Sequence, residues 1–258
     1  MRTVAFGEGA LTFLPRSARD IGLVPNANLK DFMEQFFLKL SIMLVPALMA
    51  ITCHEVSHGY IADRRGDNTA RYLGRLTLNP LKHLDLFGTL MIFIVGIGWA
   101  KPVPVNFNNL RHPKTDMIWV AAAGPITNFL LATFSAFAMR ALIGATQGLP
   151  DASPLAAFVD PVTLMLAFSV YINLLLGIFN LIPVPPLDGG RVAVGLLPLR
   201  PSMALARLEP FGMIIIIVLV FFTNAFSYVI SPALSFGVNL LAGPHSNLVF
   251  GVTRLMLK

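Results

Sequence analysis

The stretch FFLKLSIMLVPALMAITCHEVSHGYIA, residues Phe36 to Ala62, is apolar along most of its length and carries a polar cluster near its end. About 20 consecutive apolar residues suffice for a helix to cross a bilayer, so the stretch predicts a membrane-spanning helix. The cluster from His54 to His58 has the pattern HExxH. Residues four apart share one face of a helix, so the two histidines can hold one metal ion together. Glu55 can then act as general base toward a water molecule at that metal.

The composition excludes an ordinary soluble domain. The 258 residues are 55% hydrophobic and 12% charged, whereas a typical soluble domain is about 25% charged. We therefore predict an integral membrane protein without a large soluble domain. The net charge of +6 is better explained by membrane topology than by nucleic acid binding, because basic and aromatic residues do not interleave. Cys53, the sole cysteine, excludes an internal disulfide, and its position beside His54 argues against shared ligation.

The remaining apolar runs predict the fold. Three further spans are predicted, namely Met117 to Ala145, Val162 to Ile182 and Phe211 to Ile230. Three shorter apolar pieces are predicted as a re-entrant segment or β-hairpin (Gly88 to Ala100), a short helix beginning near Asp188 (Leu187 to Leu197), and a re-entrant or interfacial helix (Ala233 to Ala242). The expected fold is an all-α polytopic membrane protein with a three-helix catalytic core and at least one further transmembrane helix. We divide the chain into an N-terminal tail suited to the interface (1–35), the core (36–198) and a C-terminal transmembrane helix with its tail (199–258).

Basic residues predict the orientation of the site. The segment from Asp63 to Asp116 holds eight of the 19 lysines and arginines, and cytoplasmic loops carry such an excess. The HExxH cluster immediately precedes this segment. We therefore expect the site to lie toward the cytoplasmic side.

A catalytic zinc usually has three protein ligands, so a third ligand is needed. Carboxylates near membrane spans are costly and are functional candidates, and Asp188 is the best of them. It lies in NLIPVPPLDGGR, residues Asn180 to Arg191, where prolines keep the backbone extended and Gly189 and Gly190 allow a sharp turn. The local sequence fits an N-cap of the following helix equally well. A chance HExxH on a core helix is the other alternative, but two histidines and a glutamate are costly in an apolar span.

Taken together, these motifs resemble the site-2 protease family of intramembrane zinc metalloproteases, in its compact bacterial branch without a PDZ domain. The resemblance rests on HExxH, on the stretch from Asn180 to Gly189, and on three further stretches: Gly74 to Thr89, Gly98 to Val105, and Gly124-Pro125-xx-Asn128.

The resemblance implies roles for matching residues. His54, His58 and Asp188 would bind Zn²⁺, Glu55 would be the general base, and Asn180 would contact the substrate carbonyl. An Asn180 bonded to a neighbouring helix is the alternative. A hairpin around Trp99 to Val105 would offer an edge to an unwound substrate strand. The implied substrates are transmembrane proteins, and the implied location is the bacterial inner membrane.

Two other functions fit parts of the pattern. A catalytically silent zinc-binding scaffold would not need Glu55. A metal transporter should place more polar residues along several spans. Another kind of HExxH protease would use glutamate as its third ligand, and Glu209 is the one glutamate after the motif. For His83 we expect a loop-stabilising role in preference to support of the metal site. No pattern indicates an oligomeric state.

Overall fold

The computed structural model describes residues 29–85, 88, 100–146, 154–224 and 226–256, and most of these are helical. In chain order the helices are α1 (Leu29–Arg64), α2 (Thr69–Tyr72), α3 (Pro113–Thr146), α4 (Pro154–Asn180), α5 (Asp188–Leu196), α6 (Leu199–Ala206), α7 (Gly212–Phe221), α8 (Ser231–Ala242) and α9 (Ser246–Met256). Shorter helical turns occur at Pro80–Lys82, Phe107–Asn109, Glu209–Phe211 and Gly243–His245, with a π-helical turn at Phe226–Ile230.

Five helical stretches among the described residues are long and apolar enough to cross a membrane, namely Phe36–Arg64, Pro113–Thr146, Phe158–Asn180, Leu199–Val220 and Phe226–Leu255. The first three contain nearly all of the three predicted core spans. The protein is therefore an all-α polytopic membrane protein, as predicted. Helices α1, α3 and α4 each contain one internal proline, which membrane helices tolerate when neighbouring groups satisfy the freed carbonyl.

The predicted bounds of the fourth span, Phe211 to Ile230, are wrong. Helix α7 ends at Phe221, just before the polar pair Thr223-Asn224, and the candidate span lies earlier, at Leu199–Val220. A fifth candidate, Phe226–Leu255, includes the piece from Ala233 to Ala242 that we predicted as a short re-entrant or interfacial helix. The sequence concealed its length because Gly243-Pro244 and nearby polar residues interrupt the apolar run. In the structure a 3-10 turn at Gly243–His245 continues the helical path.

The loop after α2 contains an isolated antiparallel bridge between Leu84 and Ala100. Lys101 N donates to the carbonyl oxygen of His83 at 2.9 Å beside this bridge. The predicted re-entrant segment or hairpin, Gly88 to Ala100, lies outside the described residues except for its two end residues. Residues 101–106 are described, and they form an extended segment with no assigned helix or strand.

The chain divides into two compact units. One unit comprises Leu48–Leu131 and Asn173–Ser235. It contains the HExxH cluster, the extended segment and Asp188, and its buried cluster includes Ala62, Leu110 and Val120.

The other unit comprises the described parts of Met1–Ala47, Ala132–Ile172 and Phe236–Lys258. Within it, the hydroxyls of Ser135 on α3 and Ser169 on α4 hydrogen-bond at 2.8 Å. A hydrogen bond between polar side chains on neighbouring helices is a common way for membrane helices to associate.

Candidate metal centre

Three predicted ligands lie together within one compact unit. His54 and His58 lie one turn apart on α1, and Asp188 is the first residue of α5. The Oδ2 atom of Asp188 is 3.1 Å from His54 Nε2 and 3.4 Å from His58 Nε2. The three ligand atoms all lie within 4.8 Å of one another. The tertiary structure thus brings the halves of a divided site into a geometry that could hold one metal ion.

The other ring nitrogen of each histidine is bonded to an oxygen on α3. His54 Nδ1 is 2.5 Å from Asn128 Oδ1, and His58 Nδ1 is 2.7 Å from the carbonyl oxygen of Val120. Both oxygens are acceptors, so each Nδ1 must carry the proton. The Nε2 atom of each ring, which is the nitrogen left to bind a metal, therefore faces Asp188.

The orientation of the Asn128 amide is fixed by its own neighbours. Its Nδ2 donates to the carbonyl oxygen of Ala50 at 3.3 Å and to Asn173 Oδ1 at 2.9 Å. Because a carbonyl oxygen can only accept, the amide nitrogen must face Ala50, and Oδ1 must face His54. Asn128 and Asn173 are both buried. This chain of amides joins α1, α3 and α4 behind His54.

The ligand atoms fit a cation. Asp188 Oδ2 is buried without a hydrogen-bond partner, and the Nε2 atoms of both histidines face it. A buried carboxylate oxygen without a partner is costly. A divalent cation among the three atoms would remove this cost. Two imidazole nitrogens and one carboxylate oxygen form a ligand set that catalytic zinc sites use.

Gly124 on α3 leaves room for the two histidines. A Cβ atom at this position would lie 2.5 Å from His54 Cε1 and 2.5 Å from His58 Nε2. Side-chain atoms essentially never approach that closely. Glycine is therefore required where the backbone of α3 passes the ligand pair.

The N-cap interpretation of Asp188 is wrong. Leu187 is the N-cap of α5, and no side chain caps the helix. The preceding proline-rich loop folds back over the first turn of α5. A Cβ at Gly189 would lie 2.2 Å from the carbonyl oxygen of Leu181, and a Cβ at Gly190 would lie 2.3 Å from Pro185 N. The two glycines thus allow a loop packing that leaves the Asp188 side chain free to face the histidines.

The carboxylate of Glu55 accepts a hydrogen bond from a backbone amide. Val103 N lies 2.8 Å from Glu55 Oε2. The extended segment that includes Val103 is the described part of the predicted substrate-binding hairpin, Trp99 to Val105. The N–H of Val103 is directed at the predicted base, and Pro102 and Pro104 have no N–H to offer.

Asn180 is the last residue of α4 and is half-buried. Its Nδ2 donates to the carbonyl oxygen of Leu176 at 3.0 Å, within its own helix. Among the described residues, the structure shows no bond from Asn180 to a neighbouring helix.

His83 is buried, and its Nε2 is hydrogen-bonded to the carbonyl oxygen of Thr77 at 2.8 Å. This contact across the loop agrees with the loop-stabilising role that we expected.

Three supporting residues had no role predicted from sequence, namely Gly124, Asn128 and Asn173. The Gly124-Pro125-xx-Asn128 pattern is evident in the sequence, but the sequence does not indicate that Gly124 and Asn128 contact His54. Asn128 and Asn173 do carry a usable signal, because buried amides in apolar spans are expected to have partners or functions.

The chain is similar to several known proteins. Peptidase family M50 matches residues 143–223, which include Asn180 and Asp188. A Bacillus subtilis (strain 168) protein named "Putative zinc metalloprotease YwhC" is 40% identical over 209 residues, which cover 80% of this chain and 93% of that protein.

Two mycobacterial relatives are more distant. "Putative zinc metalloprotease Rip2" of Mycolicibacterium smegmatis is 32% identical over 182 residues, and its namesake in Mycobacterium tuberculosis (strain H37Rv) is 28% identical over 180 residues. Each alignment covers 67% of this chain and 63% of the relative. No solved structure matches the chain significantly.

The membrane helices and the buried ligand set, together with these relatives, define a membrane-embedded zinc metalloendopeptidase. The chain belongs to peptidase family M50, the site-2 protease family.

Proposed function

We propose that the protein hydrolyses a peptide bond in or near a transmembrane segment of its membrane-protein substrates, as in regulated intramembrane proteolysis. The observation that carries this proposal is the convergence on one point of His54 and His58, which lie on a candidate membrane span, with Asp188 of the short helix α5. In the proposed site these three residues hold zinc and Glu55 is the general base. Asn180, at the end of α4, contacts the substrate carbonyl.

Each residue has a distinct task in the proposed mechanism. A zinc ion held by His54, His58 and Asp188 would supply Lewis acidity toward the scissile carbonyl and the attacking water. Glu55 takes a proton from the attacking water and passes it to the leaving amine, as a general base and then a general acid. The Val120 carbonyl and the Asn128 side chain hold the two imidazoles in the tautomer that exposes Nε2.

The substrate helix must unwind locally before cleavage. Helical hydrogen bonding shields the backbone carbonyls, and unwound backbone in the bilayer must find partners in protein. Small or helix-breaking residues near the scissile bond should therefore favour cleavage. The basic excess between Asp63 and Asp116 supports a site that faces the cytoplasm. The bacterial relatives support a bacterial inner membrane as the location.

The purified protein in liposomes is expected to cut a tagged single-span reporter inside its transmembrane segment when that segment contains an Asn-Pro pair. Mass spectrometry of the products locates the cut. The matched control is a reporter with Leu-Leu in place of Asn-Pro, which should be cut more slowly because its helix unwinds less readily. Cleavage confined to the soluble flanks, or none of the Asn-Pro reporter, would contradict the proposal.

Substitution of Asn128 tests the support of the zinc ligand. Asn128→Leu is expected to weaken zinc binding by about 10–100-fold, because the Nδ1 proton of His54 loses its acceptor. Asn128→Asp keeps an oxygen at this position and should bind zinc much more tightly than the leucine variant. Competition with a chelator of known affinity measures both. Equal affinity of Asn128→Leu and wild type would show that the amide does not support the site.

A further inference from the structure

One backbone amide faces the proposed general base. The Val103 N–H donates to Glu55 Oε2 at 2.8 Å. Glu55 is half-buried on α1, and the Val103 side chain is buried with 6% exposure. Among the described residues, Val103 supplies the hydrogen bond to this carboxylate.

The local sequence isolates this donor. Val103 lies between Pro102 and Pro104, which have no N–H. A residue that precedes proline is held in an extended conformation, so Pro104 restricts the backbone of Val103 as well. The segment therefore presents one amide at this point, from a backbone with few alternative conformations.

The side chain of Arg75 and the backbone of His83, both of which follow α2, hold the start of the segment. Arg75 Nη2 donates to the carbonyl oxygens of Lys101 at 2.9 Å and Pro102 at 3.3 Å. Lys101 N in turn donates to the carbonyl oxygen of His83 at 2.9 Å.

A buried carboxylate holds the other end. Asp67 is fully buried, and its Oδ2 accepts from Asn106 N at 2.7 Å while its Oδ1 accepts from Asn109 Nδ2 at 2.9 Å. Burial alone would raise the pKa of Asp67, but hydrogen bonds from Thr69, Asn109 and Asn106 hold its pKa below the ordinary value. The anchor therefore remains charged, and charge-assisted hydrogen bonds are the stronger kind.

The segment also lies directly against α1. A Cβ at Gly59, the residue after HExxH, would lie 2.7 Å from Val103 Cγ1. The close contact at Gly59 fixes the distance between Val103 and the helix that carries Glu55.

We infer that the backbone N–H of Val103 is a positioning group that orients the Glu55 carboxylate for proton transfer, with residues 101–106 as its rigid support. A glutamate side chain has three rotatable bonds, and a fixed donor at Oε2 restricts the position of Oε1. Misplacement of a reacting group by about 1 Å can cost a factor of about 100 in rate. The inference rests on the proposed role of Glu55 as general base.

Val103→Pro tests the inference by removing the N–H. The extended backbone before Pro104 is compatible with a proline. The matched control, Val103→Ala, shortens the side chain and keeps the N–H. The proline variant is expected to show a kcat at least about tenfold below that of the alanine variant on the Asn-Pro reporter, with KM and zinc content similar in both. Equal kcat values, or a higher kcat for proline, would overturn the inference.

If Val103→Pro fails to fold, an amide-to-ester replacement at Val103 tests the role of the same N–H. The ester removes the N–H and leaves the side chain and neighbouring residues unchanged. Its kcat should fall at least about tenfold below wild type with zinc content preserved, and an unchanged kcat would overturn the inference.

Hydrogen exchange gives a measurement independent of catalysis. The N–H of Val103 should exchange at least about tenfold faster in Glu55→Ala than in wild type, because its acceptor is gone. It should remain protected in Glu55→Gln, whose amide oxygen still accepts. Unchanged exchange in Glu55→Ala would show that the contact does not form.

The two proposals fail differently. If the wild-type protein does not cut the Asn-Pro reporter within its transmembrane segment, the proposed function is wrong, and if Glu55→Gln retains full proteolysis, the role of Glu55 as general base is wrong. If Glu55→Gln is inactive while the proline and ester variants match their controls, the positioning role alone is wrong.

Discussion

Glu55→Gln is expected to lower the turnover of the Asn-Pro reporter by about 10²–10⁴-fold while zinc content stays unchanged. General acid–base catalysis by a placed side chain contributes roughly that factor. Glutamine has the size of glutamate and can still accept from Val103 N, so the extended segment should remain in place. Only the ability to take a proton is lost. Single-turnover rates of purified protein measure the effect.

Glu55→Asp is the matched control, because it keeps the negative charge on a shorter side chain. The carboxylate then lies one methylene farther from the reacting water, so we expect a turnover rate between those of wild type and Glu55→Gln. Full proteolysis by Glu55→Gln would exclude Glu55 as the general base and, with it, the proposed mechanism.

Asp188→Ala is expected to remove most of the bound zinc, with an affinity at least about 100-fold below that of wild type. The variant removes the one anionic ligand and leaves two neutral imidazoles, whereas catalytic zinc sites usually have three protein ligands. Metal analysis after dialysis against a weak chelator measures the loss.

Glu209→Ala is the control, because glutamate is the usual third ligand in other HExxH proteases. Glu209 Oε1 pairs instead with Arg191 Nη2 at 3.1 Å, and both side chains are partly exposed. Such a pair contributes about 1 kcal/mol or less to stability, and zinc content should be unchanged. Retention of zinc by Asp188→Ala, or its loss from Glu209→Ala, would contradict the proposed ligand set.

Local patterns predicted much of the fold. The lengths of the apolar runs predicted the spans in α1, α3 and α4 because bilayer thickness fixes how many apolar residues a helix needs. The same rule placed the fourth span wrongly and missed the fifth. The strongly apolar run from Met213 to Phe222 set the position of the predicted fourth span. Gly243-Pro244 interrupts the apolar sequence of the fifth span. A prediction from apolar run length ends at such an interruption, whereas the folded chain remains helical through the 3-10 turn at Gly243–His245.

Asp188 shows what local sequence can and cannot predict about the site. Its surroundings fitted a ligand and an N-cap equally well, since both need a short acidic side chain at the start of a helix. The structure distinguishes them, because Leu187 is the cap and Asp188 Oδ2 lies beside two imidazoles. The choice depends on contact with α1, which lies far away in the sequence.

The reactive groups could be predicted from local sequence: two histidines one turn apart, a glutamate beside the first, and apolar spans around them. These features are local, since helical periodicity and hydrophobic length act over neighbouring residues. The orientation of these groups, in contrast, depends on the tertiary structure. The tautomers of His54 and His58, the space at Gly124, and the amide of Val103 at Glu55 all depend on contacts between segments distant in the chain. Hydrogen bonds and close packing act through space, and no spacing along the chain specifies which partners will meet.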